Sequence, residues 1–153
     1  MGERPDSSRQ LEEALSRWEQ TVDDPTLPGE TAAWCGEALA GLEHCEKAFA
    51  STLENHAAEY AQILKADIGL TPRVEELRQA DSELRRKLDD LKRRLRRCGG
   101  NEARAVETSE EPVEEASSLR QGVLDFIVHC RAHEAELQTW LLESFYRDRG
   151  AVD

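Results

Sequence analysis

The chain has 153 residues, of which 34% are charged and 5% aromatic, and a formal net charge of −12 at pH 7. That length is enough for one domain with a real core, and the negative charge argues against a nucleic-acid binder, because phosphates would be repelled. No apolar run approaches the roughly 18 residues that span a membrane, and the opening MGERPDSSRQ lacks the apolar core of a secretory signal, so a cytoplasmic protein with no membrane partner is expected.

No stretch shows sustained alternation of Val, Ile and Thr with polar residues, so the reading is all-α. Residues 1–6 read as a disordered N-terminus, and residues 7–149 as one bundle domain. Ser7 and Gln10 fit a capping box at the start of a first helix. Its buried side is Leu11, Ala14, Leu15 and Trp18, and Asp24-Pro25 ends it. Pro28-Gly29-Glu30-Thr31 opens a long second helix that runs to about Ile68. Its inward seam is Leu39, Leu42, Cys45, Phe49, Leu53, His56, Tyr60 and Ile63, spaced by three and four. His44 falls off this seam.

Gly69-Leu70-Thr71-Pro72 makes a short turn, with Gly69 as a left-handed cap, Thr71 as N-cap and Pro72 at the first helical position. The third helix runs from Pro72 to about Cys98 with a near-heptad stripe of Val74, Leu77, Asp81, Leu84, Leu88, Leu91 and Leu95. Gly99-Gly100 ends it, and a polar linker over about 99–112 follows. The fourth helix starts near Pro112 or Ser117 and runs to about Arg149, showing Val123, Ile127, Cys130, Leu137, Leu141 and Phe145 on one face. Four such helices give an up-down-up-down bundle with a short first helix and a long second one. The runner-up is an elongated coiled-coil hairpin that dimerises.

Arg85 to Arg97, RRKLDDLKRRLRR, carries eight basic residues against two acidic. It reads as a solvated helix face whose end suits the negative pole of the helix. Glu102, Glu107, Glu110, Glu111, Glu114 and Glu115 are near enough to neutralise it, and an anionic partner is the alternative. Of the four cysteines, Cys35 and Cys45 are ten residues apart on one helix, roughly 15 Å of rise, too far to bond. With no C-x-x-C present, Cys35, Cys45, Cys98 and Cys130 read as small buried hydrophobes in a reducing compartment.

Three polar residues interrupt the apolar stripes: His56, Asp81 and His133. Burying such a group unpaired costs on the order of 1–3 kcal/mol, so each needs a partner. Reflecting the second and third helices about the turn at 69–72 sets Asp81 level with Tyr60 and one turn from His56. Reflecting the third and fourth across the linker sets His133 level with Asp81. The three are therefore expected in one core layer, with support from Glu59, Tyr60 and Glu134. Two imidazoles and a carboxylate are ligands for zinc or non-haem iron. A metal-free hydrogen-bonded layer that fixes register is the competing reading. His129 lies four residues before His133 but off the stripe.

The run HEAELQTWLLESFYRDRG, from His133 to Gly150, resembles the last helix of bacterial hemerythrin-like (HHE cation-binding) proteins. The stretch LENHAAEYAQILKADIGLTPRVEELRQADSEL, from Leu53 to Leu84, resembles their middle: a ligand-bearing helix, a Tyr, an apolar turn with Pro, then Val-Glu-x-Leu. The resemblance spans residues 34–98 and 119–150. It implies a four-helix bundle around a two-iron centre with His and carboxylate ligands from all four helices. On this chain His133 matches the last-helix His, but Leu137 stands where the following Glu is expected. The second-helix His-x-x-x-Glu falls at Ser51 and Asn55, the third-helix His falls at Asp81, and the first helix has no His. The resemblance thus implies a divergent member with most metal ligands missing, binding either no cofactor or non-haem iron.

Two functions follow. One is a non-catalytic binding or sensing module with a lost or reduced metal site. The other is a structural protein that pairs through its heptad-bearing helix, as a homodimer or with a protein partner. No enzyme is expected: there is no Gly-rich phosphate loop, no G-x-S-x-G and no H-E-x-x-H. Cys130 and His133 at i,i+3 read as packing rather than nucleophile and base.

Overall fold

Leu11, Ala14, Leu15 and Trp18 recur at the spacing of one helical face, and all four are buried in the computed structural model. The structure describes residues 6–24, 29–99 and 111–150, with side chains of the last segment given over 114–147. Four α-helices carry the chain: α1 Asp6–Asp23, α2 Thr31–Ala66, α3 Thr71–Cys98 and α4 Glu111–Gly150. There is no strand among the described residues. Successive helices pack as neighbours, and α4 closes on both α2 and α1, which makes an up-down-up-down bundle. The leucine stripe of α3, from Val74 to Leu95, is buried in the bundle's own core rather than left for a coiled-coil partner. No helix of the described residues is long and apolar enough to cross a membrane.

The helix ends depart from the sequence expectation in detail. Asp6, read as disordered, is already the first residue of α1. Ser7 is not an N-cap but a buried contact between α1 and α2: its hydroxyl accepts from Asn55 Nδ2, and its carbonyl accepts from Thr52 Oγ1 at 3.3 Å. Between α2 and α3 a short 3-10 turn spans Ile68–Leu70. Gly69 there is not left-handed; its amide donates to Asp67 Oδ1 at 2.9 Å, and among the described residues Gly29 is the glycine with positive φ, at 91°. Thr71 is helical, and its hydroxyl donates to the Ile68 carbonyl at 2.6 Å instead of capping forward. In each case a side chain satisfies a neighbouring element or the turn behind it, which local capping rules do not anticipate. Residues 1–5, Pro25, Pro28, Gly100 and the linker over 100–110 lie outside the described residues.

The core falls into two clusters. The larger holds residues of all four helices, including Trp18, Leu42, Phe49, Leu88, Leu95, Phe126 and Ile127. The smaller holds Tyr60, Ile63, Leu70, Val74, Leu77 and Leu137, from α2, the turn, α3 and α4, with none from α1. The register of α1 on α2 is set by Trp18, whose indole donates to the Ala38 carbonyl at 2.9 Å. Arg131 fastens α1 to α4 by donating to Glu12, Ser16 and Glu19.

The cysteine reading needs correction for one pair. Cys35 and Cys98 form a disulfide with a Cα–Cα separation of 6.1 Å, joining the start of α2 to the end of α3. Only Cys45 and Cys130 are free and buried, as expected of all four. The antiparallel register that brings His56 to Asp81 also brings residue 35 within about one turn of 98. Cysteine usage therefore gives no support to a reducing compartment.

Candidate metal centre

Between the two apolar clusters lies one polar layer. His56 comes from α2, Asp81 from α3 and His133 from α4, each at a position where the helical stripe turns it inward. The structure brings all three together: one potential ligand atom from each lies within 4.8 Å of the others. His56 and His133 are 2% and 6% exposed, so neither can satisfy its nitrogens with water. Their rings stand edge to face with centroids 5.5 Å apart.

Asp81 is the hub. Its Oδ1 accepts from His133 Nε2 at 2.7 Å and from His56 Nδ1 at 2.9 Å. Its Oδ2 accepts from the Tyr60 hydroxyl at 2.6 Å. Burial alone would raise the Asp81 pKa, but hydrogen bonds from His133, His56 and Tyr60, with the His56 charge, hold it well below the usual carboxylate range. The Tyr60 phenol is pushed up by burial and by its bond to Asp81, so it stays protonated as a donor.

The far nitrogen of His56, Nε2, bonds Glu134 Oε1. A carboxylate on either side makes both ring nitrogens donors, which is the imidazolium form. Burial pulls the His56 pKa down, but the bonds to Asp81 and Glu134 and their charges outweigh it and lift it to about 9. Glu134 is held in turn by Ser8 of α1, whose hydroxyl donates to Oε2 at 3.2 Å. So α1, which brings no histidine, reaches the layer through Ser8. Glu59 is half-buried, and burial, with the Glu134 and Asp81 charges, raises its pKa against the opposing pull of His56. One of its oxygens, Oε2, is buried with no hydrogen-bond partner among the described residues.

All six residues singled out from the sequence thus belong to this neighbourhood, with three as the inner donors. His44 and His129 are exposed, as their positions off the stripes indicate. Ser7, Ser8 and Thr52 are buried polar residues that sequence reasoning missed. Serine and threonine are too common on helices to stand out there; Thr52 donates to the Ala48 carbonyl of its own helix at 2.9 Å, and the docking of α1 adds the contacts among Ser7, Asn55, Thr52, Ser8 and Glu134. Cys130 lies close in sequence to His133, but burial pushes its thiol pKa up, the opposite of an activated nucleophile. Comparison of the chain with protein-family models, with curated proteins and with solved structures finds no match.

Proposed function

We propose that the chain is a hemerythrin-like bundle acting as a non-catalytic binding or sensing module, with a reduced centre that holds one transition-metal ion in place of two irons. The observation that carries this reading is the convergence of His56, Asp81 and His133 from three helices onto one buried point. The Glu59 Oε2 beside them is a buried oxygen with no hydrogen-bond partner among the described residues.

The donors fit such an ion. Bonds of about 2.0–2.2 Å need donor atoms roughly 3.0–3.5 Å apart. The nitrogens now sit 2.7 and 2.9 Å from Asp81 Oδ1, close to that spacing, and the three ligand atoms all lie within 4.8 Å of one another. His56 would bind through Nδ1 and His133 through Nε2, with Asp81 through Oδ1. The outer contacts are already in place: His56 Nε2 faces Glu134, and Asp81 Oδ2 holds the Tyr60 hydroxyl. Such contacts fix the tautomer and orientation of ligands and raise metal affinity. Two imidazoles and one carboxylate suit zinc or ferrous iron and leave further coordination positions for a small ligand.

The test is the metal content of protein purified without chelator or affinity histidines and then offered Fe(II) or Zn(II) under reducing conditions. About one equivalent is expected in the wild type, with loss in His133→Ala while circular dichroism stays helical. Absence of metal in both proteins refutes the reading and leaves the layer as a metal-free device of register.

A further inference from the structure

The basic run of α3 is not spread evenly around its helix. Lys92 and Arg94 turn to the flanks and are used inside the bundle, Lys92 on Glu46 at 2.8 Å and Arg94 on Ser118 at 3.2 Å. Arg85, Arg86, Arg93, Arg96 and Arg97 are exposed: Arg86, Arg93 and Arg97 lie opposite Leu84, Leu88, Leu91 and Leu95, Arg85 and Arg96 lie toward the Lys92 flank, and the exposed Asp89 is an acidic residue among them. Arg93 meets Asp90 at 3.5 Å within its own helix. The other four make no ion pair among the described residues. The five guanidinium groups are spread over about 18 Å of helix. This stretch holds eight of the chain's 20 Lys and Arg, in a molecule with 32 Asp and Glu. The helix pole accounts for Arg96 and Arg97 in the last turn. It gives nothing to Arg85, Arg86 and Arg93, because its field fades within one turn.

We propose that this arginine face of α3 is a docking surface for an acidic helical segment of a protein partner. Charge decides the sign of the occupant, and the residue types decide its class. Guanidinium groups pair with carboxylates through two parallel hydrogen bonds, so successive turns of a Glu-bearing helix complement successive arginines. Single-stranded nucleic acid is bound by stacking on aromatic rings, and α3 contains no aromatic residue. A bilayer surface is held by apolar side chains beneath a basic face. The large exposed apolar residues among the described residues are Ile68, Val128, Leu142, Phe145 and Tyr146, none of them on α3. Extended polyanions also meet the net charge of −12 at long range, whereas a short acidic helix meets only the local face.

The experiment titrates the full chain into a fluorescein-labelled helical peptide with glutamate at every i and i+4 position, at low and at physiological salt. Salt-sensitive binding is expected, with shifts in the amide spectrum of the wild type concentrated between residues 85 and 97. Arg85→Glu with Arg86→Glu and Arg93→Glu should weaken binding by more than about tenfold. Arg17→Glu with Lys47→Glu and Lys65→Glu makes the same charge change on other exposed faces and should stay within about twofold. The proposal is overturned if the wild type does not bind, if both triple variants lose affinity equally, or if the amide shifts fall elsewhere. It is also overturned if an oligonucleotide of equal charge or a phosphatidylserine vesicle binds more tightly than the peptide.

Discussion

A histidine buried between two carboxylates keeps a proton that it would release in water. His56 has this environment, with its pKa lifted from 6.5 to about 9. The folded state therefore binds the proton more tightly than the unfolded chain. That contribution to stability is complete below about pH 6.5 and disappears as pH rises through about 9, and it is on the order of 3 kcal/mol. Urea unfolding of metal-free protein from about pH 6 to about pH 10 should show this decline, and His56→Gln should flatten it; equal slopes in the two proteins would remove the assignment to His56. The same proton competes with metal. If the centre holds an ion, apparent affinity should rise about tenfold per pH unit up to about pH 9, because Nδ1 must be free to coordinate. Asp81 works in the opposite direction: its depressed pKa stabilises the fold above the ordinary carboxylate range and is lost on acidification.

Helices meet through shape as well as charge, and α1 and α2 show it at Gly41. A Cβ built there would lie 2.6 Å from Trp18 Cδ1. Trp18 is fully buried, is held by its bond to the Ala38 carbonyl and packs edge-on against Phe126 at 6.0 Å between centroids, so the ring has nowhere to retreat. Alanine improves helix propensity by about 1 kcal/mol over glycine, but overpacking a filled core costs roughly 1–3 kcal/mol. Gly41→Ala should therefore be net destabilising, whereas Gly36→Ala, where the added Cβ meets nothing within 4 Å, should stabilise. Thermal unfolding of the two variants checks this, and a rise in Tm for Gly41→Ala would show that α1 is loosely seated. Gly122 is a milder case, with Leu91 Cδ2 3.1 Å from the added Cβ.

Across the whole molecule the two ends of the bundle are built differently. The end with the larger core holds four helices and the Cys35–Cys98 bond, while the end beyond the polar layer relies on α2, α3 and α4. A disulfide spanning 63 positions restricts the unfolded chain, by roughly 4 kcal/mol in the chain-entropy account. Reduction, or paired Cys35→Ser and Cys98→Ser, should lower unfolding free energy by about 3–4 kcal/mol with little change in native helicity. A thiol count in denaturant should give two free thiols, from Cys45 and Cys130, before reduction. Four free thiols would show the bond unformed.

Helical period is a local property, so the four helices, their inward faces and most core residues were legible along the chain. His56, Asp81 and His133 were legible for the same reason: a polar residue in an apolar stripe needs a partner inside. Counting back from the turns even set them level: the short turn between α2 and α3 leaves those two helices little freedom of register, and the count for α4 was carried across the longer linker. What the chain alone did not decide depends on rotation and docking. That Glu134 takes the far nitrogen of His56, that Ser8 holds Glu134, and that Ser7 serves α2 instead of capping α1 follow from how α1 settles against α2 and α4. Phe145 was read as part of the α4 stripe but is at the edge of exposure, because α1 does not reach that end. The pairing of Cys35 with Cys98 needed their side chains to face each other across two helices. Apolar burial depends on residue type and spacing, so the surfaces each helix must hide are written along the chain. Hydrogen bonds and disulfides depend on ångström distances between helices, so the polar groups that meet across those surfaces follow from the assembled bundle.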